Sequence, residues 1–171
     1  MQEISVITGV RFKPETFLDH MAHSKKLAHI QCSHINTVYS LCWVFQLRVM
    51  LPVTKKAERY AGYYAGLEES TMCPGKLRIL PSSHMEAVQE AQILADKLTE
   101  DQALAITWDY NKRGIIRKYK LLNAPPVLED HVTERLYKPM YVIRFYNTQL
   151  NEAKYKVLDS LSGDLEDIAL Q

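Results

Sequence analysis

Two stretches constrain this chain more than anything else in it: "VYSLCWVFQLRVML" at residues 38–51 and "YKPMYVIRFY" at 137–146. Successive side chains of a strand point to opposite faces, and β-branched and aromatic residues favour that pleated surface. In the first stretch Trp43, Phe45 and Leu47 share one face and Val44, Gln46 and Arg48 the other; in the second, Tyr141, Ile143 and Phe145 oppose Val142, Arg144 and Tyr146. Each is followed by a polar connection and a returning segment, "RYAGYYAGLEE" from Arg59 and Tyr155 to Leu158. The expectation is two antiparallel aromatic hairpins. Gln46 and Arg48 interrupt the first stretch before it reaches the ~20 apolar residues of a membrane-spanning helix.

The hairpins echo one another. Placing Tyr39 opposite Tyr137 sets Trp43 against Tyr141, Val44 against Val142 and Phe45 against Ile143, and Arg59-Tyr60 then meets Lys154-Tyr155. The chain reads as a single globular domain, 1–171, or as two similar halves, 1–80 and 81–171. Helices are expected at three places. Residues 14–28 open on Pro14 and close on lysines that suit the negative end of a helix dipole. Residues 83–98 have a serine start, early acids and apolar positions at Met85, Val88, Ile93 and Leu94. Residues 102–121 have apolar spacing with charged intervals. "CPGK" at 73–76 reads as a turn. The fold class that follows is α+β, with the hairpins as antiparallel sheet and amphipathic helices covering them.

At the C-terminus the order helix, strand, polar turn, strand, then Asp159 and Gly163, resembles the PepSY domain. That resemblance implies a helix paired with such strands; no diagnostic motif accompanies it, and no family is assigned from it.

The 21 basic and 20 acidic residues leave a net charge of +1, so nothing global favours nucleic acid or an anionic membrane, and any such binding is local. Three cysteines without a CxxC spacing, and a start without the pattern of a signal peptide, lead to the expectation of a cytoplasmic protein with no membrane partner. Six glycines assemble neither a Walker A loop nor a dinucleotide fingerprint, and no GxSxG is present. The chain is accordingly read first as a non-enzyme.

Three residue sets carry chemistry. His20, His23, His29 and His34 lie close in sequence, and His20 and His23 share a helix face, so a divalent metal such as zinc is a candidate cofactor, although no familiar ligand spacing appears. Lys112, Arg113, Arg117 and Lys118, with Tyr110 and Tyr119 interleaved, make a nucleic-acid-binding candidate through phosphate contact and base stacking. The ten tyrosines concentrate in the hairpins, and Tyr63, Tyr64, Tyr141 and Tyr146 form the candidate interaction surface. The leading expectation is an interaction or regulatory module whose partner is another protein, held by a tyrosine-rich sheet face. A metal-binding protein or metal-dependent enzyme is the second reading and a nucleic-acid binder the third. The paired acids at Glu68-Glu69 and those at Asp164, Glu166 and Asp167 could hold a hard cation or titrate as a pair, but no EF-hand spacing is present and the C-terminal set reads as a solvated cap.

Overall fold

The computed structural model describes residues 1–120 and 122–168. Its strands are β1 (Gln2–Ile7), β2 (Ile30–Pro52), β3 (Glu58–Glu68), β4 (Cys73–Leu77), β5 (Ser83–Val88), β6 (Val127–Asn147), β7 (Glu152–Asp159) and β8 (Leu165–Asp167); its helices are α1 (Pro14–Ala22) and α2 (Glu100–Lys118). Two short 3₁₀ turns complete the list. The order strand, helix, three strands thus occurs twice.

The picture of hairpins covered by helices is overturned. Strand accounts for 50% of the residues and helix for 20%, and the strands form one mixed sheet of 8 strands. Its hydrogen-bonded order is β4-β3-β2-β6-β1-β5, with β7 on β6 and β8 on β7. The decisive difference is residues 83–98, where a helix was expected. That segment becomes β5, antiparallel to β1 from Ser83↔Ile7 to Val88↔Gln2. A 3₁₀ turn at Glu90–Gln92 follows, and then the Leu94 amide donates to the Tyr39 carbonyl at 3.0 Å. Alanine, glutamate and glutamine are good helix formers, but intrinsic propensity amounts to tenths of a kcal/mol per residue, ~0.5 or less, and a ladder with a distant strand outweighs it.

By contact density the chain divides into two compact units. The first comprises Met1–Ser40, Ser82–Leu94 and Tyr137–Gln171, and the second Leu41–Pro81 and Ala95–Leu136.

In the first unit α1 begins at Pro14, which supplies a pre-set helical φ where no amide partner is needed. It ends at Ala22, earlier than the expected 28. Phe17 and Leu18 pack on Tyr141, Ile143 and Leu158, and the Phe17 ring meets Phe145 edge-on, centroids 6.1 Å apart. Buried beside this core is an ion pair: Lys138, fully buried, donates through Nζ to Asp159 Oδ2 at 2.6 Å. Asp159 Oδ1 accepts from the amides of Leu161 and Ser162 at 2.8 and 3.1 Å, which folds the chain into a tight loop. The loop closes at Gly163, which has a φ of +77° and where a Cβ would come within 2.8 Å of the Phe12 ring, leaving no room for a side chain.

In the second unit Trp43, Phe45, Leu47, Val49 and Leu51 of β2 form a buried row, joined by Ala65 and Leu67 of β3. Helix α2, expected over 102–121, runs from Glu100 to Lys118; Leu121 lies outside the described residues. It is held at its start by a capping box in which Thr99 Oγ1 accepts from the Gln102 amide and Gln102 Oε1 from the Thr99 amide. Ala103, Thr107, Asn111 and Ile115, spaced by four, are its buried stripe. Residues 73–76, expected as a turn, belong to β4, which pairs with β3 through Cys73↔Glu68 and Gly75↔Gly66. The reversal sits just before, where Met72 has a φ of 54°. Pro74 is tolerated because β4 is an edge strand.

Candidate functional site

The basic run on α2 comes together with two strands. Tyr110, Arg113, Gly114, Arg117 and Lys118 recur at helical spacing and so share a face of α2. On the β3-β4 pair, Lys76 stands opposite Ala65, two positions from Tyr63, so Tyr63 and Lys76 project from the same side. The Lys76 ammonium lies 5.8 Å from the centre of the Tyr63 ring. Between helix and hairpin is a cleft of about 330 Å³ lined by Tyr63, Lys76, Tyr110, Arg113, Arg117 and Lys118, with Asn111, Gly114 and Ile115. No carboxylate is among the residues that line it. Arg113 is partly offset by Asp109, 2.9 Å away on an exposed stretch of helix.

Lys118 also borders a second hollow of about 370 Å³, lined by Arg59, Tyr119 and Lys120 with Leu51, Val53 and Leu122. Here too no acid lines the wall. The Tyr63 hydroxyl is pushed up to about 12, by burial first and then by hydrogen bonding with Tyr119. It therefore stays protonated and uncharged beside the cations.

The other expected sites fare differently. Lys112 is not among the residues lining the cleft. The four histidines do not converge. His23 Nδ1 lies 2.8 Å from the Asp19 carbonyl oxygen, the His29 carbonyl accepts from the Thr148 amide and hydroxyl, and His34 Nε2 lies 2.9 Å from the Asn36 carbonyl oxygen and 3.1 Å from Thr37 Oγ1. The reason is the end of α1 at Ala22 and the start of β2 at Ile30, which carries His34 out along an extended strand instead of folding it back. Among the described residues no group of three His, Cys, Asp or Glu side chains stands ready for a metal ion.

The four tyrosines do not share a face either. Tyr63 and Tyr64 are neighbours on β3 and point to opposite sides, as do Tyr141 and Tyr146 on β6. Tyr141 is buried with its ring edge-on to His34, centroids 5.6 Å apart, whereas Tyr146 donates to Asn151 Oδ1 and carries the Arg144 guanidinium on its ring.

Two acids that the sequence did not place in the interior, Asp159 and Glu69, are buried. Asp159 is held below the usual carboxylate range: burial works to raise it, but hydrogen bonds from Lys138, Leu161 and Ser162 and the Lys138 charge outweigh that. Glu69, 3% exposed, receives the Trp43 indole N–H at 2.9 Å and the amides of Lys97 and Leu98 at 2.8 and 3.2 Å. Its oxygens are occupied by structural donors, so it fastens the chain ahead of α2 to the β2-β3 hairpin. Lys76 was missed as well, because only strand register brings it to the basic run.

No helix among the described residues is long and apolar enough to cross a membrane. Compared with protein-family models, curated proteins and solved structures, the chain finds no match in any of the three. Function is therefore argued from the cleft itself.

Proposed function

We propose that the protein binds single-stranded nucleic acid along the C-terminal half of α2. One observation carries this reading: two adjoining hollows sharing Lys118 are lined by six cations, Arg59, Lys76, Arg113, Arg117, Lys118 and Lys120, and three tyrosines, with no acid in either wall. A single phosphate needs only one such group of cations. A run of them interleaved with aromatic rings suits a backbone of repeated phosphates whose bases stack between contacts. The net charge of +1 makes this concentration local, so the rest of the surface adds little non-specific attraction.

Fluorescence anisotropy of a labelled oligonucleotide across a salt series tests the reading. Each phosphate neutralised on a single strand contributes about −0.7 to the slope of log K against log salt, so replacing Lys76 and Arg117 together by glutamine flattens the slope by ~1.4. Tyr110→Ala, which removes a stacking ring from the cleft wall, weakens binding by about 1–3 kcal/mol. An unchanged slope in the double variant, or no anisotropy change even at low salt, overturns the proposal.

A further inference from the structure

The first unit holds a separate pocket, of about 510 Å³, over one face of its sheet. Alternation builds it. Thr37 and Tyr39 of β2, His84 and Glu86 of β5, and Pro139 and Tyr141 of β6 are each two apart on their strand and so project to the same side. Val6 of β1 pairs with His84 and with Tyr137, which brings these strands side by side. The loop after β1 closes one wall with Gly9, Val10 and Lys13, Gly9 adopting a φ of +73° that suits its missing side chain. A pocket of a few hundred Å³ with mainly apolar walls and a few convergent polar groups is the usual form of a small-molecule site.

The hydrogen-bond inventory decides what such a molecule brings. Both oxygens of Glu86 are engaged: Oε1 accepts from the Tyr39 hydroxyl at 2.8 Å, and Oε2 lies 3.1 Å from His84 Nε2. Thr37 Oγ1 is 3.1 Å from His34 Nε2. Besides the Thr8 hydroxyl and the second ring nitrogen of His84, two donors remain. Tyr141 is 8% exposed and lines the pocket, and among the described residues its hydroxyl makes no hydrogen bond. Lys13 makes no ion pair among the described residues. Vacant donors call for acceptors, and an ammonium and a phenolic O–H lining one pocket are matched by an anionic oxygen pair, with Val6, Ile7, Val10 and Pro139 left to contact a hydrocarbon body.

We propose that this pocket is a binding site for a small carboxylate with an apolar body, its carboxyl group held by Tyr141 and Lys13. The site is independent of the nucleic-acid reading, since it shares no residue with the α2 cleft. Burial, and then the nearby Glu15 and Glu86 charges, raise the Tyr141 hydroxyl, so it remains a donor at neutral pH.

The test is a titration of the whole chain with isovalerate, benzoate and octanoate, each alongside its primary amide, followed by amide chemical-shift changes. An acid that binds with shifts at Lys13, Glu86 and Tyr141, at least about tenfold tighter than its amide, is the expected result, because a hydrogen bond to a charged group discriminates by that order. Tyr141→Phe keeps the ring against His34 and removes only the donor, and it weakens the acid about tenfold and the amide by less. Equal binding of acid and amide, binding that Tyr141→Phe leaves unaltered in a variant with a native melting profile, or no binding by any of the three pairs, overturns the proposal.

Discussion

Each unit of the molecule buries a carboxyl group, and the two do so by opposite means. In the first, Asp159 faces the ammonium of the fully buried Lys138. In the second, the Glu69 carboxylate accepts from an indole N–H and two backbone amides; among the described residues it has no ion-pair partner, and the Lys97 ammonium donates instead to its backbone carbonyl at 3.2 Å. The surface sites differ in the same spirit: a cleft walled by cations where a helix meets a hairpin, and a pocket on strands whose one carboxylate is already occupied. The difference teaches that charge is distributed by role. Where a counter-charge is buried, removing it leaves an uncompensated ion; where dipoles do the work, removal leaves unpaired donors.

The comparison is most sharply broken at Lys138. Lys138→Met strands Asp159 without its ion partner and destabilises the fold by about 3–5 kcal/mol in urea denaturation. The pH dependence has a definite sign. Because Asp159 titrates below the ordinary carboxylate range in the folded chain, its contribution is complete above that range and fades as the pH falls through the lowered value. In the Met variant burial is left opposed only by two amides, so this part of the acid sensitivity shrinks. Glu69→Gln turns an amide nitrogen toward donors that need an acceptor, and costs about 1–3 kcal/mol. A loss from Glu69→Gln as large as that from Lys138→Met contradicts the distinction. At the small end, Ser160→Ala removes a buried hydroxyl that has no partner among the described residues and leaves stability unchanged or raised by up to ~1 kcal/mol, as read from the melting temperature.

How much of this could be read beforehand depended on how local each signal was. The alternation through Trp43, Phe45 and Leu47 and through Tyr141 and Ile143 is written within each strand, and both strands are found where expected, extended at their N-terminal ends. Helix α2 is likewise local. β5 is not: "SHMEAV" has helix-favouring composition, and what makes it a strand is β1, some eighty residues earlier. That misreading concealed the pocket, since His84 and Glu86 share a face only with a period of two. The basic half of the cleft was legible for the same reason that α2 was. Lys76 was not, because its place depends on the register Ala65↔Lys76. The histidines show the reverse: close in sequence, they are spread by the change from helix to strand.

The composition of the two units bears on how the chain comes to be folded. The first takes α1 and the start of β2 from early in the sequence but needs β6 beyond Tyr137 and β7; the second holds β3 and β4 but needs α2 and the start of β6. Neither unit has all its parts until the second half of the chain has been made, so ribosome-bound chains ending near residue 80 expose the row from Trp43 to Leu51 uncovered. Contacts between such distant segments close slowly. Two polypeptides cut between Pro81 and Ser82 therefore each lack what the other carries, and the natural expectation is that they fold only when mixed.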